Sequence, residues 1–496
     1  MELDRDLASI QEARDLVKKA KAAQTALADM DQQQVDRIVE AMARAAEGAA
    51  RRLAQMAVAD TGFGREEDKI TKNLFAARTV FRFIKDQKTI GVIREDTEKK
   101  MLEVAIPVGV VAGLVPSTNP TSTTIFKALI SVKAGNALVV SPHPSALNCI
   151  GETVRILNAA AVEAGGPDGL VTMMTLPTLG GTAELMKRSN MIIATGGSAM
   201  VKAAYSSGTP ALGVGPGNVP AYIERTADIP NAVRRIIASK TFDNGTICAS
   251  EQSVVTETCI REEVIAQFKR QGGYFVSGEE QKKLEAIIKR PGAETVNPRI
   301  VGKSALEIAA MAGIQVPNDT RVILCHQEGV GKDYPFSIEK LSPLLAFYTE
   351  PDWQHACERC LQLLQFGGIG HSLSMHTNNP ELVRTFVLKK PVSRLLVNTG
   401  STQGGIGATT GISPSFTLGC GAVGGSATSD NVTVHHLYQI RRAAYGLIEP
   451  EEVGGGAPEG CASCIGSMKP GMETGMTADE MERIVQAVVQ QIRGLK

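Results

Sequence analysis

The chain has 496 residues, which at ~150 residues per domain is room for about three domains, or two with a tail. Its 52 lysines plus arginines balance 52 aspartates plus glutamates, so no net field draws it to nucleic acid or anionic lipid, and neither is expected as a partner. An apolar share of 43% is ordinary for a large globular core, while the single tryptophan argues against a surface that stacks sugars or bases.

The N-terminus, MELDRDLASIQEARDLVKKA, is densely charged and has no apolar signal core. The first 90 residues read as helices. Val35, Ile38, Val39, Met42, Ala46, Ala49, Leu53 and Met56 recur at helical spacing, and Thr61-Gly62 ends that run. From Glu103 the pattern changes to strands. VAIPVGVVAGLVP is β-rich, with Pro107 marking a strand start or edge, and NALVVS, LVTMMT, MIIAT, ALGV and PAYIE follow. Helical segments separate them: PSALNCIGETVRILNAAAVEAGG, GTAELMKRS and SAMVKAAYSS. This alternation predicts βαβ units and a parallel, doubly wound sheet, with ligands at the carboxyl ends of its strands. Residues 228–430 read as a second α/β unit, opening with the helix IPNAVRRIIASKTF and alternating SVVTE, RVILCH, LLAFYT and RLLVNT with helices. A β-like segment, NVTVHHLYQIRRAAYG, follows. Residues 449–475 are rich in Gly, Pro, Glu and Met and read as a linker. Residues 476–496 read as a discrete amphipathic helix, with Thr477 and Glu480 as a capping box and Met481, Ile484, Val485, Val488 and Ile492 as its apolar stripe.

The longest apolar stretch, Val104 to Val115, contains Pro107 and is shorter than the ~20 residues of a spanning helix. Nine cysteines without a signal segment point to free thiols in a reducing cytoplasm. Cys357 and Cys360 are spaced as helical packing neighbours, and Cys461 and Cys464 lie in the linker, too far away to share a zinc with them. His435 and His436 fall in a predicted strand, where neighbours face opposite ways. No metal is expected.

Three segments carry chemistry. In TFDNGTICASEQSVV, Cys248 follows a glycine-containing turn that can expose a thiol among backbone donors, although position alone leaves a buried structural cysteine open. In VPSTNPTSTTIFK, Asn119 sits just after a strand, where its amide can donate to a developing oxyanion or simply form a turn. In TGGSAMVK, Gly196, Gly197 and Ser198 open a helix whose free N–H groups can hold a phosphate. No GxGxxG follows a strand.

Together with VSPHPSA, LGVGPGNVPAY, EKLSPLLA and FGGIGHSLSMHT, these segments resemble the aldehyde dehydrogenase superfamily over residues 10 to 446, and more closely its CoA-acylating branch, the acetaldehyde and propionaldehyde dehydrogenases. The resemblance implies two doubly wound α/β domains. Residues 1–227 become the NAD-binding domain, with an oligomerisation hairpin at 90–106. Residues 228–430 become the catalytic domain and 431–448 the oligomerisation segment. It implies Cys248 as nucleophile, Asn119 with the Cys248 N–H as oxyanion hole, and Glu339 as the carboxylate that orients the nicotinamide ribose. Thr195, Gly196, Gly197 and Ser198 fall near the pyrophosphate, and Ser117, Thr118, Pro142, His143, Val214 and Leu341 along the cofactor groove. Ser141 takes the place of a lysine that hydrolytic members use on the adenosine ribose. His371 matches a histidine of acylating members and can take the CoA thiol proton or tune Cys248.

The informative departure is Gly213, which aligns with the glutamate that activates water in hydrolytic members. A thioacyl enzyme without that base waits for a better nucleophile, such as the CoA thiol. The expected function is NAD-dependent oxidation of a small aldehyde, propanal or ethanal, to its acyl-CoA by a ping-pong route in which NAD and CoA use one groove in turn. The alternatives are a hydrolytic dehydrogenase that releases free acid, or a non-catalytic cargo protein. A homodimer or homotetramer is expected. The helix at 476–496 resembles peptides that attach enzymes to shell proteins of bacterial microcompartments, which places the protein in the cytoplasm, inside such a compartment. No second catalytic domain is expected after Gly446.

Overall fold

A computed structural model describes residues 4–290 and 295–450. The linker beyond Pro450, the Cys461 and Cys464 pair and the amphipathic helix at 476–496 lie outside the described residues. One compact unit takes the chain up to Glu95 and Leu102–Ala443. Asp96–Met101 and, among the described residues, 444–450 make a second, within which the Tyr445 N–H donates to the Lys100 carbonyl at 3.2 Å.

The N-terminal part of the first unit is helical, as its periodicity predicts. Asp31 closes a capping box with Gln34 at the start of the helix Gln32–Gly48, and Val35, Ile38, Val39, Met42 and Ala46 face the core. The apolar stripe continues on a separate helix, Ala50–Thr61, which ends at Gly62 in the left-handed conformation (φ 67°). The break at Ala49, unforeseen in the continuous stripe, follows Gly48, a poor helix former.

The strands, in chain order, are β1 Gly91–Asp96, β2 Met101–Pro107, β3 Val110–Val115, β4 Ala137–Pro142, β5 Val171–Met173, β6 Met191–Thr195, β7 Ala211–Val214, β8 Val219–Ile223, β9 Glu251–Glu257, β10 Gly273–Phe275, β11 Val322–His326, β12 Leu344–Glu350, β13 Gly370–His376, β14 Val392–Val397 and β15 Tyr438–Ala444. They form a parallel five-stranded sheet, β5-β4-β3-β6-β7, a parallel seven-stranded sheet, β10-β11-β12-β9-β8-β13-β14, and a small sheet, β1-β2-β15. Strands buried on both faces read as continuous apolar runs, so β3 and β4 are fully buried.

Three expectations need correction. The β-rich run around Pro107 is two strands in two sheets, and Pro107 ends β2, where its missing N–H interrupts no further ladder. PAYIE, read with the first unit up to residue 227, is β8 and pairs with β9 and β13, so the change of sheet falls between Val214 and Val219. His435 and His436 lie in a short 3-10 turn, Val434–His436, because the His436 ring accepts the Thr433 N–H and curls the chain. Cys357 and Cys360 pack in the core from the helix Trp353–Phe366. Among the described residues no helix is long and apolar enough to cross a membrane.

Candidate active site

The five-stranded sheet winds outward from β3 through β4 to β5, then returns to place β6 on the other side of β3. Ligands bind at such a switch point, beyond the carboxyl ends of the strands. The register brings those ends level, with Val115 beside Pro142 and Thr195 beside Val214. A cleft of about 440 Å³ opens there. Its first wall is built by the residues that leave β3, β4, β6 and β7, and its second by Ile247, Cys248, Glu339, Leu341, Phe416 and Leu418. The groove residues Ser117, Thr118, Ser141, Pro142, His143, Thr195, Gly196, Gly197, Val214 and Leu341 all line it, as do Asn119, Cys248 and Glu339. Ser198 and His371 do not.

Cys248 is half-buried. It follows a 3-10 turn, Phe242–Gly245, in which Asp243 and Asn244 adopt left-handed backbone (φ 50° and 51°). Non-glycine residues there need support, and the Asp243 carboxylate supplies it. That carboxylate accepts from the Arg65 N–H (2.8 Å), Lys69 Nζ (3.0 Å), Lys72 Nζ and Thr246 Oγ1 (2.7 Å). Burial, with the Glu339 carboxylate beside it, pushes the Cys248 thiol up to about 12, against a smaller opposing pull from Arg394.

Asn119 occupies the N-cap of the helix Pro120–Lys133 but does not cap it. Its Oδ1 accepts from Lys72 Nζ at 2.6 Å, while its Nδ2 makes only a long bond, 3.3 Å, to Thr118 Oγ1. Glu339 is the one carboxylate in the described cleft wall. Its Oε1 accepts the Gly217 N–H at 2.9 Å, and burial lifts its carboxyl to about 7 despite that bond and the nearby Lys240 and Lys340. Gly217 has to be glycine on grounds of space. A Cβ there would lie 2.1 Å from the Cys248 carbonyl oxygen and 3.2 Å from His371 Cγ.

His371 packs beside Gly217 and does not line the cleft. It is fully buried, its Nδ1 meets Ser372 Oγ at 3.1 Å, and its Nε2 has no partner. Burial and the Arg394 guanidinium lower it to about 3, so the imidazole is neutral. Ser141 Oγ pairs with Thr182 Oγ1 at 2.8 Å in a buried contact. No side chain caps the helix Ser198–Tyr205, whose start follows Gly196 and Gly197 at the cleft wall. The positions that sequence reasoning missed are Lys69, Lys72, Asp243, Gly217 and Arg394. Lysines on a short helix ordinarily mark a solvated face, and nothing local separates these from the rest.

With this geometry in view the comparisons are specific. The aldehyde dehydrogenase family matches residues 5–302. The chain belongs to that family. A bifunctional aldehyde-alcohol dehydrogenase of Escherichia coli is 44% identical over 443 residues, covering 88% of this chain and 50% of the relative. The chain thus spans about half the length of the first curated relatives it matches. The crystal structure of an acetylating aldehyde dehydrogenase from Geobacillus thermoglucosidasius superposes with a TM-score of 0.89 at 54% identity, covering 90% of this chain and 99% of that one. A propionaldehyde dehydrogenase from the fucose utilisation microcompartment of Clostridium phytofermentans superposes with a TM-score of 0.79 at 29% identity, covering 87% and 97%. Cys248 and Asn119 both line the cleft described above.

Proposed function

We propose that this aldehyde dehydrogenase oxidises a small aliphatic aldehyde, propanal or ethanal, and passes the acyl group to CoA. The observation that carries the reading is the lining of the cleft: Cys248 and Asn119 both belong to it, and its one described carboxylate, Glu339, is tied to the Gly217 N–H. Among the described residues no second carboxylate lines the cleft to activate water against a thioester. The likeness to the acetylating enzyme of Geobacillus thermoglucosidasius supports the same choice.

The cleft fits NAD. The uncapped helix start at Ser198 offers N–H groups for the pyrophosphate. A Cβ at Gly197 would meet nothing within 4 Å, so the backbone there is open to a ligand. We assign Glu339, which lines the cleft, to the nicotinamide ribose, and NAD bound there would supply the hydride acceptor. In our reading Cys248 attacks the aldehyde carbon as its thiolate, after its proton has passed to water. Asn119 Nδ2–H and the Cys248 N–H hold the oxyanion that forms. Loss of a hydride from the same carbon leaves an acyl group on Sγ. The CoA thiol then attacks that carbonyl, Sγ departs with the bonding electrons, and the acyl-CoA leaves. We assign the CoA thiol proton to His371, whose buried Nε2 has no partner within the protein.

Aldehyde, NAD and purified enzyme with CoA should give acyl-CoA, and without CoA a single burst of NADH. Continuous release of free acid without CoA refutes the acylating assignment. Cys248→Ser should abolish turnover, and Asn119→Ala should lower it ~10²–10³-fold, the usual cost of one oxyanion donor.

The proposed setting is a bacterial microcompartment. It draws on the amphipathic stripe at 476–496 and on the microcompartment origin of the Clostridium phytofermentans neighbour. We further propose that the small β1-β2-β15 sheet, which leaves Val92 and Ile440 exposed, mediates a homo-oligomer. Removing residues 472–496 should leave activity intact, and that segment fused to a fluorescent reporter should form puncta only in cells that make shells. A diffuse reporter in such cells refutes the setting.

A further inference from the structure

Lys72 lies in the last turn of the helix Glu66–Leu74 and is almost wholly buried. A buried ammonium is costly unless each of its three donors finds an acceptor. Here all three do: the Asp243 carboxylate, Asn119 Oδ1 at 2.6 Å and the Thr246 carbonyl at 3.1 Å. The ring of Phe242 covers it at 5.4 Å. Thr246 precedes Cys248 by two residues, so one side chain touches both the loop that carries Asn119 and the loop that carries the thiol.

We propose that Lys72 is a positioning residue, which fixes the face that the Asn119 amide shows to the cleft and the spacing of that amide from Cys248. An ammonium only donates, so the amide nitrogen cannot face it. Oδ1 must turn to Lys72, and Nδ2 is left on the other branch of the amide. Without Lys72 the two ends of the amide exchange by a soft rotation about χ2. The charge at Oδ1 also polarises the amide and strengthens its N–H as a donor.

Lys69 provides an internal comparison. It lies one turn earlier and reaches the same Asp243 oxygen at 3.0 Å, yet its other bond goes to the Thr118 carbonyl at 3.1 Å, not to the amide. Asp243 therefore keeps a cation when Lys72 is removed, and pairing that carboxylate does not by itself explain why Lys72 is spent on Asn119.

The proposal rests on Asn119 as an oxyanion donor, and the experiment separates the two. Lys72→Met, Lys72→Gln, Asn119→Ala and the double variants are assayed for turnover with aldehyde, NAD and CoA, for NAD affinity and for melting. Lys72→Met should lower kcat by about tenfold or more, with NAD affinity close to that of the parent. Lys72→Gln, which keeps a donor, should recover part of the loss. Added to Asn119→Ala, either change should cost little more, because the two act through one group. Should the methionine variant melt early, the glutamine cycle decides. Normal turnover in Lys72→Met beside a crippled Asn119→Ala overturns this proposal alone, as do losses that multiply in full in the double variant. Normal turnover in Asn119→Ala overturns both readings.

Discussion

Gly217→Ala is the most sensitive probe of how the site is assembled. The φ of Gly217 lies outside the left-handed region, so alanine meets no dihedral strain, and the whole cost is space. Its Cβ would fall 2.1 Å from the Cys248 carbonyl oxygen, 3.1 Å from the Cys248 carbonyl carbon and 3.2 Å from His371 Cγ. The first contact involves backbone, which cannot rotate away as a side chain end can. Restoring a separation of ~3 Å demands a relative shift of about 0.9 Å. Misplacing a catalytic group by ~1 Å costs on the order of 10²-fold in rate, and overpacking costs roughly 1–3 kcal/mol of stability. Movement of residue 217 in the other direction loosens its N–H from Glu339, now 2.9 Å away. The expected outcome is a folded enzyme with a lower melting temperature and kcat down by about two orders of magnitude. Steady-state NADH formation at saturating CoA, read beside a melting curve, measures both. A Gly217→Ala variant with parental kcat and melting temperature would show that the Cys248 carbonyl does not stand where the argument needs it.

Other perturbations address the electrostatics. Alkylation of Cys248 by iodoacetamide should rise steadily from pH 7 to pH 10 without a plateau, because the free enzyme holds the thiol near 12. A plateau below pH 9 contradicts that. Glu339→Gln removes a negative neighbour of the thiol and should speed alkylation above pH 8. Below about pH 6 the difference should vanish, since the Glu339 carboxyl titrates near 7 and is then already neutral. His371→Ala should preserve the NADH burst and slow only the CoA-dependent step, and an equal loss in both would assign His371 to structure.

Much of the fold is legible because alternation and periodicity are properties of single segments. MIIAT, ALGV and RLLVNT become strands where their apolar runs predict them. Which sheet a strand joins depends on partners far away in sequence, and β8 shows the consequence: its residues look like those of β7, yet it pairs with β9 and β13. The site divides along the same line. Cys248, Asn119 and Glu339 stand in quotable motifs. The Asp243 cradle joins side chains more than 170 positions apart, Lys69 and Lys72 to Asp243, and a helical lysine pair carries no sign of burial. His371 illustrates the opposite case. Its motif is recognisable, but that it packs beside Gly217 and stays out of the cleft lining is visible only in three dimensions.

Gly213 shows how structure changes the meaning of a departure that the sequence already displays. Read as a sequence, the glycine is a missing base, and Gly213→Glu becomes a way to regain hydrolysis. In the fold, Gly213 lies in β7, and its neighbours Val214 and Gly215 line the cleft while it does not. A Cβ there would meet Tyr205 Cε2 at 2.8 Å and Val201 Cγ1 at 2.9 Å, both on the helix Ser198–Tyr205. Tyr205 is itself anchored, its hydroxyl accepting the Gly213 N–H at 2.8 Å and lying 3.2 Å from Ser426 Oγ. A glutamate at 213 must therefore displace this tyrosine and disturb the helix whose start is proposed to hold the pyrophosphate. The small residue is required by packing as well as by the absence of a base. Gly213→Glu alone should weaken NAD binding and lower melting, with little acid released. Gly213→Glu combined with Tyr205→Ala, which vacates the space, is the variant expected to release acid without CoA. Acid release by the single variant, with NAD affinity unchanged, would show that the tyrosine yields freely and that packing does not constrain position 213.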